Sequence, residues 1–438
     1  MNLFSEKKEE IKNYKTPQNA FLPEKVRLPL RCDFNTVCQP VVKIGDTVSE
    51  GQVIAVSKDD ENSVIHSSIP GKVTDILSLQ CPNGKTEKVI EITLSGSFDY
   101  LGKVSKRKNM NLLSEEEIEA SLISSGIINT FDTRKPLLLI NQIKKFKGKN
   151  LVIRLFDEDP SCIADRLISK FYLNEIIEGS LLLTKLLKNQ NIVFVLNSKL
   201  TPLSDFESKK NDLIFFYDVN DSLYPLSVQA KIISSFNKSE KYKDSGINLS
   251  KNDLYCDSQT ILQLQQNLLY STPELTHLVH ISGNCLKASA MLNVRNGITV
   301  SELLSQIGGL SKKPKQIIIN GSIRGFTVDS LNTPVTKYVK SVSVIKESTP
   351  TDSKIYNCIQ CGNCRSICKE YVLPDFIYNQ AVNFNLLETP GDEKDFDNTV
   401  FIKEMLKHCT NCFECNIVCP SRLPLSQIIK KLKDDFNV

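Results

Sequence analysis

The sequence predicts a multidomain protein that combines α/β and α+β units, and three patterns along the chain support this prediction. Residues 25–98 are short apolar runs with glycine at the corners between them, and residues 114–245 alternate strand-like and helical stretches. Residues 358–419 contain two similar cysteine runs. A chain of 438 residues with 41% hydrophobic side chains can form several cores, and its length suggests about three domains.

The first predicted unit is a small β-structure. The runs VVKIGDTVSEGQVIAVS, VIHSSIPGKVTDIL and KVIEITL follow one another as strands separated by turns. The phrases KIGDTVSEGQVIA and SSIPGKVTDI resemble the two halves of a biotinyl/lipoyl-type hammerhead barrel, a barrel-sandwich hybrid. We therefore expect a hammerhead barrel over residues 25–100, preceded by a polar N-terminal tail over residues 1–24.

The second predicted unit is a Rossmann-like α/β layer over residues 101–245. EEEIEASLISSG is a helix with an acidic first turn and a glycine stop. KNLVIRLF, NIVFVLN and NDLIFFYDV are apolar runs of strand length with helical patterns between them, which favours a largely parallel sheet. No glycine-rich loop joins a strand to a helix here, although a bound phosphate would need one. Residues 246–276 are assigned as a connecting segment.

The third predicted unit covers residues 277–347. Strands are expected at HLVHISG, KQIIING and YVKSVSVI, and a helix at VSELLSQIGG should begin after Thr299 and stop at Gly308 and Gly309. This order of elements suits a small β-grasp domain. A short polar linker then leads into the cysteine-rich region, residues 348–438.

The cysteine-rich region predicts two iron-sulfur clusters. CIQCGNCRSIC and CTNCFECNIVC share the spacing C-x-x-C-x-x-C-x-x-x-C, and in two-cluster ferredoxins the fourth cysteine of each run ligates the cluster of the other run. The first 4Fe-4S cluster would take Cys358, Cys361, Cys364 and Cys419, and the second would take Cys409, Cys412, Cys415 and Cys368. Pro420 fits this ferredoxin pattern, whereas Lys369 departs from it. We expect a two-cluster ferredoxin-like domain with helices between the runs.

Two other uses of these cysteines stay open. Two zinc sites with four cysteine ligands each would also use eight thiolates, although they do not need a third cysteine at this interval in each run. Disulfides are not expected, because no secretory signal precedes the chain. The other six cysteines have no ligand spacing and are expected to be small buried hydrophobic residues: Cys32, Cys38, Cys81, Cys162, Cys256 and Cys285.

Charge and hydropathy limit the kinds of partner. The formal charge of +4 comes from 54 basic and 50 acidic residues, which gives no basic field of the kind that binds nucleic acid. The most apolar runs are shorter than the roughly 20 residues that a membrane span requires. Any association with a membrane is therefore expected to depend on a partner.

Taken in order, these units resemble the RnfC family, the C subunits of Rnf ion-translocating oxidoreductases. The likeness is carried by LPLRCDFNTVCQPVVKIGDTVSEGQVIA in the barrel, by VSELLSQIGGL and INGSIRGF in the β-grasp unit, and by TPVTKYVKSV before the clusters. A cobalamin reductase of the propanediol-utilisation type has a similar architecture. The resemblance implies a peripheral subunit on the cytoplasmic side of the cell membrane, bound to the membrane subunits of an Rnf-type complex and served by NADH, ferredoxin or flavodoxin.

The resemblance also implies an FMN and NADH site in the α/β layer, made by three segments of the family. Its glycine loop, similar to GLGGAGFPTxxKL, corresponds to residues 124–137, where only Gly126 remains. Its NGAECEPY segment corresponds to residues 154–162, with Glu158 or Asp159 as the acidic element and Pro160 kept. Its YPQGxEKQ segment corresponds to residues 224–232, which keep Tyr224 and Pro225.

These departures fall on the nucleotide site. Ile127, Ile128 and Phe131 would block the close approach of phosphate to the backbone, so the sequence predicts that tight FMN or NADH binding is lost. The leading hypothesis is an electron-transfer subunit of a translocase complex, with no acid, base or nucleophile to assign. The alternatives are an FMN-dependent NADH dehydrogenase module, a cobalamin-reductase-like protein, and a non-enzymatic scaffold with structural metal.

Overall fold

The structure, a computed structural model, divides the chain into two units, Met1–Lys346 and Glu347–Val438. The residues that it describes are 11, 14–58, 63–95, 106–197, 212–219, 224, 226–346, 355–383, 396–436 and 438. Among these residues no helix is long and apolar enough to cross a membrane.

The N-terminal part of the first unit contains two small antiparallel sheets, as a barrel-sandwich requires. One has the strand order β2-β8-β7-β4 and the other β3-β5-β6. Their bounds, with β1 before them, are β1 Gln18–Asn19, β2 Lys25–Pro29, β3 Gln39–Pro40, β4 Thr47–Val48, β5 Val53–Val56, β6 Val64–His66, β7 Gly71–Gln80 and β8 Thr86–Leu94. Gly71 allows the close contact between β7 and β8, because a Cβ atom there would lie 2.1 Å from the carbonyl oxygen of Thr93.

The structure corrects one expectation about the scattered cysteines. Cys32 and Cys38 form a disulfide across the hairpin that leads into β3. The hairpin brings them together because the amide of Cys32 donates to the carbonyl of Thr36, and Asp33 accepts the amides of Asn35 and Thr36. The other four scattered cysteines are buried and form no disulfide with another described residue, as expected: Cys81, Cys162, Cys256 and Cys285.

The α/β layer is a four-stranded parallel sheet with the order β13-β12-β11-β14. Its strands are β11 Asn150–Arg154, β12 Asn191–Leu196, β13 Ile214–Asp218 and β14 Leu254–Asp257, and a short hairpin precedes them at β9 Ile128–Asn129 and β10 Leu137–Leu138. The helices are α1 Glu115–Ser125, α2 Leu139–Lys145, α3 Ala164–Phe171, α4 Leu173–Leu187, α5 Gln229–Lys238 and α6 Ser258–Tyr270. Residues 246–276, assigned from sequence as a connection, thus supply the fourth strand and a buried helix.

Helix α1 follows its sequence signals closely. Ser114 and Glu117 form a reciprocal capping box, in which each side chain accepts the backbone N–H of the other residue. Three acidic residues occupy the first turn, and Gly126 ends the helix at φ 65°. The predicted start and stop of this helix are both confirmed.

The third part of the first unit is a mixed six-stranded sheet with the order β1-β16-β15-β19-β17-β18. Its elements are β15 Thr276–Ser282, β16 Ala290–Arg295, α7 Val300–Ser305, β17 Gln316–Ile319, β18 Phe326–Val328 and β19 Ser341–Ile345. Thr299 caps α7, as predicted. Strand β1, from the segment expected to be a polar tail, pairs with β16 in parallel. The β-grasp assignment stays a prediction.

The second unit is helical within its described residues. Its helices are α8 Asn363–Ile367, α9 Pro374–Asn383, α10 Phe396–His408, α11 Glu414–Ile417 and α12 Leu425–Asp435. Apolar side chains of α9, α10 and α12 form its main core, with Ile377, Leu406 and Ile429 at the centre. The short helices α8 and α11 belong to the two cysteine runs.

A buried carboxyl group, that of Glu274, lies between the α/β layer and the third sheet. It accepts the amide of Ile128 at 3.3 Å and lies 3.4 Å from the Nζ atom of Lys337, which also donates to the carbonyl of Gly126. Burial raises the pKa of Glu274 to about 7. Lys337 and the Ile128 amide act against this rise, and Asp257 adds to it.

Glu274→Gln should make the stability of the protein less dependent on pH. The folded state holds this proton more tightly than the unfolded chain, so the carboxyl group destabilises the fold increasingly as pH rises from about 4.5 to about 7. Over this interval the free energy of unfolding should fall by roughly 2–3 kcal/mol more in the native protein than in the variant. Well above pH 7 the carboxyl group is ionised in both the folded and the unfolded state, so the gap between the two free energies should stay constant.

Urea unfolding at a series of pH values measures this effect. The buried histidines, His66 and His277, titrate in both proteins and cancel in the difference. Glu119→Gln, a change on the exposed side of α1, is the matched control and should leave the pH profile unchanged. Parallel profiles for the native protein and Glu274→Gln would contradict the prediction.

Candidate metal centres and nucleotide site

The two cysteine runs fold as two copies of one local structure. In each run a turn leads into a short helix, α8 or α11, the fourth cysteine follows closely, and a longer helix, α9 or α12, comes next. The backbone is left-handed at three equivalent pairs: Gln360 and Asn411 (φ 54° and 53°), Gly362 and Phe413 (75° and 66°), and Tyr371 and Arg422 (56° and 58°). The repeat in the sequence is therefore also a repeat in the structure.

The first predicted ligand set lines one cavity. Its walls include Cys358, Cys361 and Cys364 from the first run together with Cys419 from the second. Leu423 donates its amide to the sulfur of Cys419 at 3.5 Å, which holds that side chain at the cavity. The structure thus brings together the four cysteines that cross-ligation assigns to one cluster.

The second predicted ligand set is closer to the helical core. Cys368 of the first run and Cys409 of the second pack against that core and lie near enough to affect each other's charge. Cys409 and Cys412 are in turn close to Cys415. Burial raises the pKa of Cys412 to about 11 and that of Cys415 to about 12, so a bound metal would have to displace their protons.

A small apolar cluster contacts cysteines of both sets. Leu423 and Leu425 pack with Cys364, and members of both sets border the same cluster of side chains, namely Cys358, Cys415 and Cys419. The two sets therefore share apolar neighbours in one cluster.

The donor atoms fit an iron-sulfur cluster. Four thiols surround the first cavity, and a cubane holds its thiolates further apart than one tetrahedral ion does. Within the described ranges, no group of three or more His, Cys, Asp or Glu side chains is gathered tightly enough for a single metal ion. The assignment of the eight cysteines as ligands stays a prediction.

The three segments that correspond to the nucleotide site do come together, but around an arginine. Arg154, the last residue of β11, is fully buried. Its guanidinium donates to the carbonyl oxygens of Phe156 at 3.0 Å, Ser227 at 2.8 Å and Phe131 at 3.0 Å, one in each segment. The same group lies 4.2 Å from the centre of the Phe131 ring, and Asp165 is 4.0 Å away.

A second arginine, Arg324 of the INGSIRGF segment, joins the same three segments through their side chains. Its Nε atom donates to Glu158 at 2.6 Å, and its Nη2 atom lies 3.5 Å from Asp132. Tyr224 of the third segment also hydrogen-bonds to it. Burial alone would raise the pKa of Glu158, but Arg324, Arg154 and Thr133 outweigh it and hold that pKa below its usual value.

Asp159, the other acidic residue of the second segment, also has hydrogen-bond partners within the chain. Asp159 accepts the amides of Ile323 at 2.8 Å and Arg324 at 2.6 Å. Gly321 is needed for this contact, because a Cβ atom at Gly321 would lie 2.3 Å from the Asp159 carboxyl carbon. Neither Glu158 nor Asp159 is therefore placed as an open acceptor for a sugar or an amide of a ligand.

The backbone amides of the loop that would hold phosphate already donate hydrogen bonds to other residues of this chain. Ile127, Ile128 and Phe131, which were expected to block phosphate, are buried in the protein. Six amides of the loop donate to side-chain oxygens of this chain: Ile127 to Ser125, Ile128 to Glu274, Thr130 to Thr260, Phe131 to Asn129, Thr133 to Glu158 and Arg134 to Asp132. Amides that are already bonded in this way cannot also form a phosphate cradle.

A buried ion pair fills the adjoining edge of the sheet. Ligands of open parallel sheets bind outside the carboxyl ends of the strands where the strand order reverses, here between β11 and β14. Lys340 reaches this point from the third sheet and donates to Asp165 at 2.8 Å and, at short range, to Asp257, the last residue of β14. Pro225 of the third segment lies outside the described residues.

Sequence reasoning found the altered loop but missed the cations that fill the site. Arg154 ends the apolar run NLVIR, and that position was the available signal, because a charged residue inside a buried strand needs a partner. Arg324 and Lys340 gave no such signal, since each is far from the α/β layer in the sequence.

Comparisons with known proteins match the N-terminal barrel and the cysteine-rich region. The family model of the RnfC barrel sandwich hybrid domain matches residues 4–97, and that of a 4Fe-4S dicluster domain matches residues 354–423. The C subunit of the ion-translocating oxidoreductase complex of Rhodobacter capsulatus is 23% identical over 372 residues, covering 84% of this chain and 71% of that protein. The chain is RnfC-like. The expected barrel-sandwich hybrid and 4Fe-4S domain are thereby confirmed.

Two further relatives show the same likeness. The C subunit of the proton-translocating ferredoxin:NAD(+) oxidoreductase complex of Clostridium ljungdahlii is 23% identical, with 82% of this RnfC-like chain and 79% of that protein covered. The C subunit of the ion-translocating oxidoreductase complex of Buchnera aphidicola is 22% identical, with 92% and 82% covered. Among solved structures, an NAD+-reducing NiFe hydrogenase aligns with a TM-score of 0.49 and 11% identity over 76% of this chain and 63% of its own.

Arg154→Met should destabilise the first unit strongly. The change keeps the length of the side chain but leaves three buried carbonyl groups without their donor and removes one of the two cations near Asp165, so we expect a loss of roughly 3–5 kcal/mol in the free energy of unfolding. Arg107→Met removes an exposed arginine that pairs with Glu178 and should change the free energy of unfolding little, because water screens this pair. Denaturant unfolding compares the two, and equal losses would contradict the central role of Arg154.

Cys419→Ser should damage the same cluster as a change in the first run. Because Cys419 lines the cavity of the first set, its variant should show the same residual electron paramagnetic resonance spectrum as Cys361→Ser after anaerobic reconstitution. Cys412→Ser is the matched control from the second run and should leave the other spectrum. If Cys419→Ser instead resembled Cys412→Ser, the cross-ligation would be wrong.

Proposed function

We propose that this RnfC-like chain is a peripheral electron-transfer subunit of an Rnf-type membrane complex, and that it relays electrons through two 4Fe-4S clusters. One observation carries the proposal: cysteines from both runs line the same cavity, in the combination that cross-ligation of two clusters requires. The proposed ligands are Cys358, Cys361, Cys364 and Cys419 for the first cluster, and Cys409, Cys412, Cys415 and Cys368 for the second.

Bound clusters would supply one-electron chemistry, and the chain would supply the conditions for it. Its thiolates would hold the metal, and Leu423 and Leu425 place apolar side chains against cysteines of both sets. Amide and hydroxyl groups donate to the sulfurs, as Leu423 does to Cys419. Burial and hydrogen bonding of this kind set the potential of such clusters within a range of about −700 to +450 mV.

The proposal also includes the loss of the nucleotide site. Arg154 and Arg324 fill the space between the three segments, and the loop amides are bonded to the chain itself. A phosphate would have to displace these contacts, and the buried carboxylates Glu158 and Asp159 would repel it. The α/β layer then serves as a scaffold between the barrel and the third sheet.

Partners follow from this division of roles. We place the subunit on the cytoplasmic side of the membrane, bound to membrane subunits of the complex. With the nucleotide site filled, NADH would not be the direct electron carrier, and a ferredoxin or flavodoxin would exchange electrons with the clusters. The name of the Clostridium ljungdahlii relative includes ferredoxin:NAD(+) oxidoreductase, so an FMN-dependent NADH dehydrogenase module is the second candidate.

Analysis of the reconstituted full-length chain tests the proposal and separates the two candidates. We expect roughly eight iron and eight sulfide per chain, because two complete ligand sets are present. We also expect no stoichiometric FMN after purification, and NADH affinity no better than about 1 mM, or ~4 kcal/mol, by calorimetry.

Each contrary result has a separate meaning. Four iron per chain, or bound zinc without visible absorbance, would overturn the two-cluster relay. One FMN per chain together with micromolar NADH binding would favour the dehydrogenase module and show that Arg154 and the loop can move aside for a ligand.

A further inference from the structure

The two cysteine repeats carry different residues at a position that contacts the third ligand sulfur of each run. Cys364 and Cys415 occupy equivalent positions, as the third cysteine of each run. The residue that faces each of them is the second residue of the following long helix. In the first repeat this is Asp375 of α9, and in the second it is Ser426 of α12.

In the first repeat the backbone supplies the hydrogen bond. The amide of Asp375 donates to the sulfur of Cys364. The carboxylate of Asp375 turns to Arg365, whose Nε atom lies 2.7 and 2.9 Å from its two oxygens. No side-chain hydroxyl group takes part at this position.

In the second repeat a hydroxyl group supplies the bond. The amide of Ser426 donates to the Oδ1 atom of Asn416 at 2.8 Å. The Oγ atom of Ser426 lies 3.1 Å from the sulfur of Cys415. Ser426 is only 5% exposed, so water does not compete well for this contact. A thiolate has no proton to give, so in the metal-bound state Ser426 must be the donor.

We propose that Ser426 tunes the reduction potential of the second cluster by donating its O–H to the thiolate of Cys415. The inference rests on the proposed function, since it needs a cluster in the second set. Reduction adds one electron, and so one negative charge, to the cluster and its thiolates, while no bond forms or breaks and the Ser426 proton stays on Oγ. The O–H dipole stabilises the more negative state more strongly, and hydrogen bonds to cluster sulfurs raise the potential for this reason.

Ser426→Val and Ser426→Thr form a matched pair that tests this role. The two side chains have nearly the same size and shape, but only threonine keeps the hydroxyl group. Ser421→Ala is the control, because Ser421 is equally buried and its hydroxyl donates to the carbonyl of Asn357 and not to a sulfur. The readout is the midpoint potential of each cluster in the reconstituted full-length chain, from a redox titration followed by electron paramagnetic resonance.

We expect Ser426→Val to make one of the two midpoint potentials more negative and to leave the other unchanged. A tenfold loss in the equilibrium for reduction is the expected size, which equals about 59 mV for one electron. Ser426→Thr and Ser421→Ala should keep both native potentials. If the valine variant does not assemble, Ser426→Ala removes only the hydroxyl oxygen and should show the same shift.

Unchanged potentials in Ser426→Val or Ser426→Ala would overturn the inference, and so would equal shifts of both clusters or an equal shift in Ser421→Ala. Iron and sulfide are counted in each sample before titration. A native chain with fewer than two clusters therefore refutes the proposed function, whereas two clusters with no effect of Ser426 refute only the tuning role.

Discussion

The buried guanidinium of Arg154 is the interaction on which the α/β layer depends. Removing a cation from water is costly, and the fold offsets this cost with three carbonyl acceptors, the face of Phe131 and the carboxylate of Asp165. Each carbonyl group belongs to a different segment, so one side chain fixes the positions of three loops. Arg324 repeats this arrangement with side-chain partners and ties the third sheet to the same place.

Under the proposed loss of the nucleotide site, these contacts would take the place of the ligand. A bound cofactor would contribute hydrogen bonds, charge and packing to the loops around it, and here the protein supplies all three from its own residues. The ion pair of Lys340 with Asp165 and Asp257 does the same at the sheet edge where ligands of this fold class bind. A fold can be kept for its geometry after the chemistry has moved elsewhere.

The second unit depends on a different constraint. In the proposed arrangement each run gives three thiolates to one cluster and one to the other, so neither repeat has a complete ligand set alone. Metal binding and folding of this unit would then be coupled, because assembly of either cluster orders both repeats. The equivalent left-handed residues in the two runs allow the chain to make the same turn twice, even where glycine in one copy is phenylalanine in the other.

Features that depend on local spacing could be predicted from the sequence. The cysteine interval predicted which four cysteines line one cavity. The acidic first turn and Gly126 predicted the start and stop of α1, Thr299 predicted the start of α7, and three apolar runs predicted three of the four strands of the parallel sheet. Tertiary structure decided the disulfide of Cys32 and Cys38, the place of β14 in the sheet and the pairing of β1 with β16. It also decided which side chains lie between the three segments that correspond to the family's nucleotide site. The altered loop was visible in the sequence, but the arginines and the lysine that fill the space come from distant positions, and only the folded chain brings their charges to the same buried point.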